Sequence, residues 1–257
     1  MTEPVGLYSI GIRDLDVPEI LTLALEHQVP FVHLRGGPRG YDLARCDDTT
    51  LSRWARHSWA SVPITLVTAD LDIAQFQPTS PSYQHARAEL DRLSRASAIL
   101  GAHAVRLLAR HPVRDAVAGT VALPDLRDRH GLAILVELHD PSWFTPAALI
   151  TVRAVCDAPA GVGLLVDSGQ VHRAWSALGV LDELVLTELV ARASIVHLCD
   201  NGSGLGGTGH HLLAAAIAAG GAVEVGFEWT GPDRSPAGCL ARYRAAVSWW
   251  RHTRDAS

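Results

Sequence analysis

The sequence predicts a single α/β domain over residues 1–257, folded as a (β/α)8 TIM barrel. Short apolar, β-branched segments alternate along the chain with longer amphipathic segments, which is the pattern of parallel strands joined by helices. Eight such pairs follow one another at intervals of roughly 25 to 40 residues. A chain of 257 residues with 48% hydrophobic side chains suits one barrel better than two small domains.

The predicted strands are short apolar runs, and several of them end on a polar residue. They are LYSIGI from Leu7, FVHLR from Phe31, PITLVTA from Pro63, HAVRLLA from His103, LAILVEL from Leu132, VGLLVD from Val162, SIVHLC from Ser194 and AVEVGFEW from Ala222.

The first, third and last intervening helices carry local signals. Asp16, Pro18 and Glu19 resemble a capping box at the start of the first helix, and Ser235 with Pro236 resembles the start of the last. Apolar or small residues recur at helical spacing in the third helix and in the last: Ala86, Leu90, Leu93, Ser97 and Leu100, then Leu240, Tyr243, Val247 and Trp250.

Two segments that follow predicted strands have the composition of loops. They run from Gln75 to Ser82 (QFQPTSPS) and from Asn201 to Gly209 (NGSGLGGTG). Because the segments after strands build the active-site face of a barrel, both are candidate substrate-contacting loops. The first fits a permissive surface loop equally well.

Composition argues against several classes of protein. The net charge of -5 gives no basic field for nucleic acid. The chain contains no lysine, so neither Schiff-base nor pyridoxal-phosphate chemistry is open to it. Its four cysteines form no CxxC pair, which predicts reduced thiols. No apolar run of about 18 residues and no signal-peptide pattern occurs, so we expect a cytoplasmic protein that does not bind membranes.

Four polar residues end the last four predicted strands. They are Glu137, Asp167, His197 and Glu228, separated by 30, 30 and 31 residues, so each lies one βα unit after the last. In AVEVGFEW, alternation places Val223, Val225 and Phe227 toward the helices, and Glu224, Gly226 and Glu228 toward the barrel interior, where Gly226 leaves room. The spacing therefore predicts that the four side chains meet at one level.

Three carboxylates held together at a water-poor strand end would take up protons or require a cation, because uncompensated buried charge is costly. Three carboxylates and one imidazole form an oxygen-rich ligand set. Such a set favours Mn²⁺, Mg²⁺ or Co²⁺, and Zn²⁺ stays an option. The alternative is that each acid caps a helix or forms a surface salt bridge. Four residues in phase favour one divalent metal ion.

At these residues the chain resembles the xylose-isomerase-like TIM barrels, which include sugar isomerases and epimerases, dehydratases and endonuclease type IV. The fragments ILVELHD, GLLVDSGQVHRAW, IVHLCDNGSG and VEVGFEW are similar to the family's metal-binding strand ends in order and spacing. Two departures stand out. Gln170 occupies a position where many members have histidine, and no arginine follows His197 closely. The missing histidine and the acidic balance disfavour the endonuclease reading.

The resemblance implies an isomerase or epimerase of a small polyhydroxy carbonyl compound. Proton transfer would then pass through a metal-bound enediolate, with Glu137 and Glu228 as base and acid. A dehydratase is the first alternative, because His139 forms a Glu-x-His pair with Glu137 that is similar to that of the family's lyases. His139 would then be the base, although it also fits a role in orienting Glu137. A non-catalytic binding protein is the second alternative.

Further residues are predicted to contact substrate. They are His33 and Arg35 on the second strand, Arg106 on the fourth, and Gln170. Either arginine would suit a carboxylate or phosphate group through a two-pronged hydrogen bond, and each fits a rim salt bridge equally well. The glycine-rich loop after the seventh strand contains no basic residue, so its signal for phosphate is weak. The sequence leaves a homo-oligomer open.

Overall fold

The computed structural model describes residues 4–111, 121–157, 161–220 and 223–255. Its strands are β1 Val5–Tyr8, β2 Val32–Arg35, β3 Ile64–Asp72, β4 Ala104–Ala109, β5 Ala133–Leu138, β6 Gly163–Asp167, β7 Ala193–Asp200 and β8 Glu224–Trp229. All neighbouring strands pair in parallel and in chain order, and β8 pairs with β1 to close the barrel. The predicted (β/α)8 fold is confirmed.

Helices connect the strands on the outside of the barrel. They are α1 Val17–Glu26, α2 Asp48–Ala60, α3 Tyr83–Leu100, α4 Leu126–His130, α5 Leu149–Cys156, α6 Ser168–Leu178, α7 Glu183–Ala191, α8 Thr208–Gly220 and α9 Pro236–Asp255. Short 3-10 turns lie at Ser9–Gly11, Leu43–Arg45, Ile73–Phe76, Pro141–Phe144 and Pro146–Ala148.

The helix signals in the sequence correspond to real contacts. The Oδ1 atom of Asp16 accepts the Glu19 amide at 2.9 Å, and Oε2 of Glu19 accepts the Asp16 amide at 2.7 Å, which completes a capping box. Ser235 Oγ accepts the Gly238 amide at 3.1 Å at the start of α9. The stripe predicted for α3 is buried, and in α9 only Val247 of its stripe is partly exposed.

Several boundaries differ from the predicted ones. The first strand begins at Val5, two residues before the predicted start, and Ser9–Gly11 turns into a 3-10 helix instead of continuing the strand. Ala222, where the eighth strand was predicted to start, lies outside the described residues. Both predicted loops are partly helical. The 3-10 turn Ile73–Phe76 includes the start of the first loop, and α8 begins at Thr208, within the second.

The inside of the barrel is layered, and this layering positions the polar site. One apolar layer comes from five consecutive strands: Leu66, Ala104, Leu135, Leu165 and Ile195. The residue two positions further along each strand points to the same side and is polar: Thr68, Arg106, Glu137, Asp167 and His197. The polar layer thus lies toward the carboxyl ends of the strands, on an apolar floor.

The structure also bears on membrane spans and disulfide bonds, which the sequence argued against. Within the part of the chain that the structure describes, no helix is both long enough and apolar enough to cross a bilayer. The four cysteines are free, as expected from their spacing. The cytoplasmic location expected from the sequence stays a prediction.

The apolar floor should carry much of the stability of the barrel. Leu165 is fully buried within it, whereas Leu184 on α7 is 78% exposed. We expect Leu165→Ala to lower the free energy of unfolding by about 2–5 kcal/mol, because it leaves a cavity under the polar layer. The matched change Leu184→Ala should cost less than about 0.5 kcal/mol. Urea denaturation of both variants checks this, and equal losses would contradict the layered interior.

Candidate metal centre

Three of the four predicted ligands meet at the mouth of the barrel. Asp167 ends β6, His197 lies in β7 and Glu228 lies in β8, and one ligand atom from each is within 4.8 Å of the other two. Asp167 and His197 are buried, and the Glu228 side chain is 12% exposed. We call Asp167, His197 and Glu228 the trio.

The two carboxylate oxygens of Asp167 have different surroundings. Oδ1 accepts the backbone amide of Gln170 at 2.8 Å and so caps the start of α6. Oδ2 is buried and has no hydrogen-bond partner among the described residues. A buried acceptor without a partner is costly, so this atom fits a site that receives a ligand. Helix capping and metal binding, weighed as alternatives from the sequence, are thus both open to Asp167.

The fourth predicted ligand, Glu137, lies beside the trio with partners of its own. Its Oε2 is 2.9 Å from Nε of Arg106, and its Oε1 is 2.8 Å from Nε2 of His139. These are ion-pair contacts without the alignment of hydrogen bonds. Gln170 Nε2 in turn lies 3.3 Å from Nδ1 of His139, so the imidazole is held from both sides.

The trio and Glu137 differ strongly in their electrostatics. Burial opposes the ionisation of Glu137, but the charge of Arg106 and the contact with His139 outweigh it and lower its pKa to about 2. Burial and the charge of Glu137 raise the pKa of Glu228 to about 7. Burial and the charges of Glu228 and Glu137 raise the pKa of Asp167 well above its ordinary value. Without a cation, the trio cannot hold all its negative charge.

A buried chain of hydrogen bonds runs from the amino-terminal end of β8 to the trio. Glu224 Oε1 is 2.9 Å from Nε2 of His33, and Nδ1 of His33 is 2.9 Å from Nε2 of His197. Nδ1 of His197 faces Glu228 Oε2 at 3.1 Å. Burial lowers the pKa of both imidazoles to about 4, so each carries one ring proton near neutral pH.

The direction of these hydrogen bonds assigns the tautomer of His197. A carboxylate accepts only, so His33 donates from Nε2 to Glu224 and its Nδ1 carries the lone pair. That lone pair accepts the Nε2 proton of His197, which leaves the lone pair of His197 on Nδ1, toward Glu228. A lone pair in this position is what a metal ligand needs.

Gly226 makes the contact between the two imidazoles possible. A Cβ atom at this position would lie 2.7 Å from the ring atoms Nδ1 and Cε1 of His33, and 3.2 Å from Cδ2 of His197. The room that the sequence predicted at Gly226 is therefore occupied by the His33 ring.

The residues present fit a divalent cation. Its ligands would be two carboxylates with raised pKa values, one of which has an unpartnered buried oxygen, and one imidazole whose lone pair faces them. A cation would stabilise the ionised carboxylates and satisfy the free oxygen of Asp167.

The remaining sequence-predicted substrate residues occupy different places. Arg35 is half-buried beside the barrel mouth, two positions after His33 on the same strand. Arg106 is buried, and its Nη1 donates to the Ala69 carbonyl at 3.0 Å. His33 is fully buried, and both of its ring nitrogens form hydrogen bonds. Gln170 is 7% exposed, and its side-chain amide contacts His139.

Sequence reasoning missed Tyr8 and the role of Glu224. The Tyr8 hydroxyl pairs with Thr68 at 2.7 Å, and the Tyr8 ring lies 5.0 Å from that of His197. Alternation along LYSIGI places Tyr8 and Leu7 on opposite sides of the sheet, but it does not say which of the two faces the barrel interior. Glu224 was placed in the interior, but its pairing with His33 depends on a strand at the other end of the chain.

Comparison with solved structures shows what this barrel is similar to. A 3-keto-D-glucoside 4-epimerase, YcjR, from E. coli has 13% identity, covers 97% of this chain and 99% of its own, and gives a TM-score of 0.66. The IolI protein with a bound zinc atom has 14% identity, 97% and 98% coverage, and a TM-score of 0.74. D-psicose 3-epimerase from Clostridium cellulolyticum H10, solved with D-tagatose, has 10% identity, 99% coverage of both chains and a TM-score of 0.69.

The chain shares the fold of these proteins. The resemblance to xylose-isomerase-like barrels inferred from the sequence is therefore confirmed at the level of the fold. No protein-family model matches the chain, and no significant match occurs among curated proteins.

Glu228 should destabilise the metal-free protein above neutral pH. Its pKa is raised from 4.5 to about 7 in the folded state, so the penalty is absent below about pH 4.5 and complete above about pH 7. At about pH 8 the metal-free variant Glu228→Gln should be more stable than wild type by on the order of 3 kcal/mol, and near pH 5 the difference should almost vanish. Thermal and urea unfolding in EDTA measure this. The exposed control Glu26→Gln should show no such pH-dependent gain, and a Glu228→Gln variant less stable than wild type at pH 8 would contradict the electrostatic account.

The tautomer of His197 can be observed directly. In metal-free protein near neutral pH, ¹⁵N spectra of histidine-labelled protein should show His197 with a protonated Nε2 and an unprotonated Nδ1, because His33 accepts from Nε2. The signal is assigned by its loss in His197→Gln. Replacing His33 by Phe removes the acceptor and should mix the two tautomers. A protonated Nδ1 in wild type would refute the assigned direction of the chain.

Proposed function

We propose that this protein is a divalent-metal-dependent isomerase or epimerase of a ketose-like or α-hydroxycarbonyl compound. The observation that carries the proposal is the trio, in which an unpartnered buried oxygen of Asp167 faces an imidazole and a second carboxyl group. The overall similarity to sugar epimerases supports the same reading. Mn²⁺, Mg²⁺ and Co²⁺ suit the oxygen-rich set best, and the zinc of the IolI protein keeps Zn²⁺ among the options.

Asp167, His197 and Glu228 would hold the cation, and Glu137 has lone pairs left for a fourth bond beside its contacts with Arg106 and His139. When bound, the cation supplies electrostatic stabilisation of the negative charge that develops on a substrate oxygen as a neighbouring carbon loses its proton.

The protein's own groups would move the proton. Glu137 on β5 and Glu228 on β8 flank the barrel mouth, so a substrate between them has a carboxyl group on either side. Glu137 is ionised in the resting site, so it accepts the carbon-bound proton and passes it to His139, whose pKa is raised by Glu137 against the effect of burial. Glu228, whose pKa is raised to about 7, returns a proton to the substrate from the other side.

The neighbouring His139 also gives the dehydratase alternative a specific basis. Its side chain is 30% exposed while its Nε2 contacts Glu137, so an imidazole and a carboxylate both face the mouth. In a dehydratase, His139 would remove a proton from the carbon next to a leaving hydroxyl group.

Asp167→Asn tests the proposal with little disturbance of the fold, because asparagine caps helices as well as aspartate does. We expect metal-loaded wild type to exchange a carbon-bound proton of a ketose or hydroxyketone for deuterium in D₂O, without loss of water from the substrate. Asp167→Asn should bind Mn²⁺ more than about a hundredfold more weakly and lose the exchange. Asp182→Asn, at the exposed N-cap of α7, is the matched control and should change neither property.

Four outcomes would change the assignment. A new conjugated absorbance without exchange would identify the dehydratase alternative. Metal binding without chemistry on any polyhydroxy carbonyl compound would leave a binding protein. Failure of wild type to take up any divalent cation, or full activity of Asp167→Asn, would refute the proposed metal centre.

A further inference from the structure

A cleft lined by arginines opens next to the trio. It has a volume of about 380 Å³ and is formed by the segments that follow β1, β2 and β8, on the active-site face of the barrel. Four arginines line it, and the one acidic residue in its lining is Asp14. The arginines are Arg13, Arg35, Arg39 and Arg234.

Most of the positive charge in this cleft has no carboxylate partner. Arg39 forms an ion pair with Asp70 at 2.5 Å. Among the described residues, no acid lies within salt-bridge distance of Arg13, Arg35 or Arg234. Arg234 is held by backbone carbonyls, at 3.2 Å from Thr230 and 3.4 Å from both Gly231 and Ile10, which orient its guanidinium without neutralising it.

The crowding of these cations is itself unfavourable. Burial, together with the positive charges of Arg13 and Arg35, lowers the pKa of Arg234. With Arg39 balanced by Asp70, and with Asp14 also in the lining, two positive charges remain in excess. A phosphate monoester carries a charge of roughly -1.5 to -2 near neutral pH and offers three acceptor oxygens. Its charge therefore matches the excess, and arginine forks suit its geometry.

The cleft and the trio are neighbours. Arg35 and Arg234 both lie close enough to Glu228 for their charges to act on its carboxyl group. Arg35 also lies two positions beyond His33 on one strand, which is about 6–7 Å further toward the mouth and on the same side. A single extended molecule can thus reach both places.

We propose that the arginine cleft is a phosphate subsite, so that the substrate is a phosphorylated polyhydroxy carbonyl compound whose carbonyl group lies at the trio. The proposal rests on the proposed function for the part that concerns the carbonyl group, whereas the phosphate subsite belongs to the metal-free protein as well. The phosphate subsite narrows the proposed substrate class from ketose-like compounds in general to their phosphates.

The first experiment measures the subsite without catalysis. Inorganic phosphate is titrated into EDTA-treated protein by calorimetry, with ³¹P NMR as a second readout. Arg35→Gln should weaken binding roughly tenfold to a hundredfold, because it removes a charge-assisted pair. Arg13→Gln changes an exposed side chain, which makes it safer for folding, and it should weaken phosphate binding less. Arg87→Gln, on the outer face of α3, is the matched control and should leave binding unchanged.

The second experiment compares substrates on metal-loaded protein. Deuterium exchange should have a higher kcat/KM for ketose phosphates than for the same free ketoses, and Arg35→Gln should reduce the rate with the phosphates more than with the free sugars. A preference for sugar acids or free sugars would overturn the phosphate assignment, as would phosphate binding that is absent or insensitive to both cleft variants. If phosphate binds at the cleft but no sugar exchanges, the subsite is supported and the proposed function fails.

Discussion

Crowded negative charge at the mouth of the barrel is the constraint on which the rest of the site depends. The strand ends bring Glu137, Asp167 and Glu228 together over an apolar floor, where water cannot screen them. Arg106 compensates Glu137 within the protein itself. No described arginine lies within ion-pair distance of the other two acids, and the pKa values of both are raised. The fold thus bears a cost that only protons or a cation can relieve.

The acids also differ in charge state, because nearby cations compensate their negative charge to different extents. Glu137 is ionised at any ordinary pH because Arg106 and His139 hold it so, whereas Glu228 changes its charge near neutrality. The buried chain from Glu224 through His33 adds a second level of control, because it settles which nitrogen of His197 faces the acids. Residues from opposite ends of the sequence therefore set the chemistry of one imidazole, and Gly226 leaves the space in which they meet.

The sequence was most informative where a regular period governs position. Strand alternation and the repeat of about 30 residues placed Glu137, Asp167, His197 and Glu228 at the ends of successive strands, because both periods come from backbone geometry. They could not say that Glu137 turns toward Arg106, since that depends on how two side chains pack across β4 and β5. Arg13 and Arg234 escaped notice for a related reason: they lie in irregular segments, where no period relates sequence to position.

The end of the first strand shows the same limit. Ile10 and Gly11 continue the apolar pattern of LYSIGI, yet the chain turns at Ser9. The turn carries the following segment, with Arg13, to the rim beside Arg234, whose carbonyl oxygen accepts the Arg13 amide at 3.0 Å. Local hydrophobicity cannot report such a contact, because it joins residues from the two ends of the chain.

Asp167 connects the proposed cation site to the orientation of His139. One of its oxygens starts α6 and the other faces the trio, while the first turn of α6 carries Gln170, which holds His139. In the proposed metal centre, an ion of unsuitable radius would draw the carboxylate away from its capping position, and the first turn of α6 would shift with it. The orientation of His139 would then depend on which ion is bound, even if that ion were held tightly.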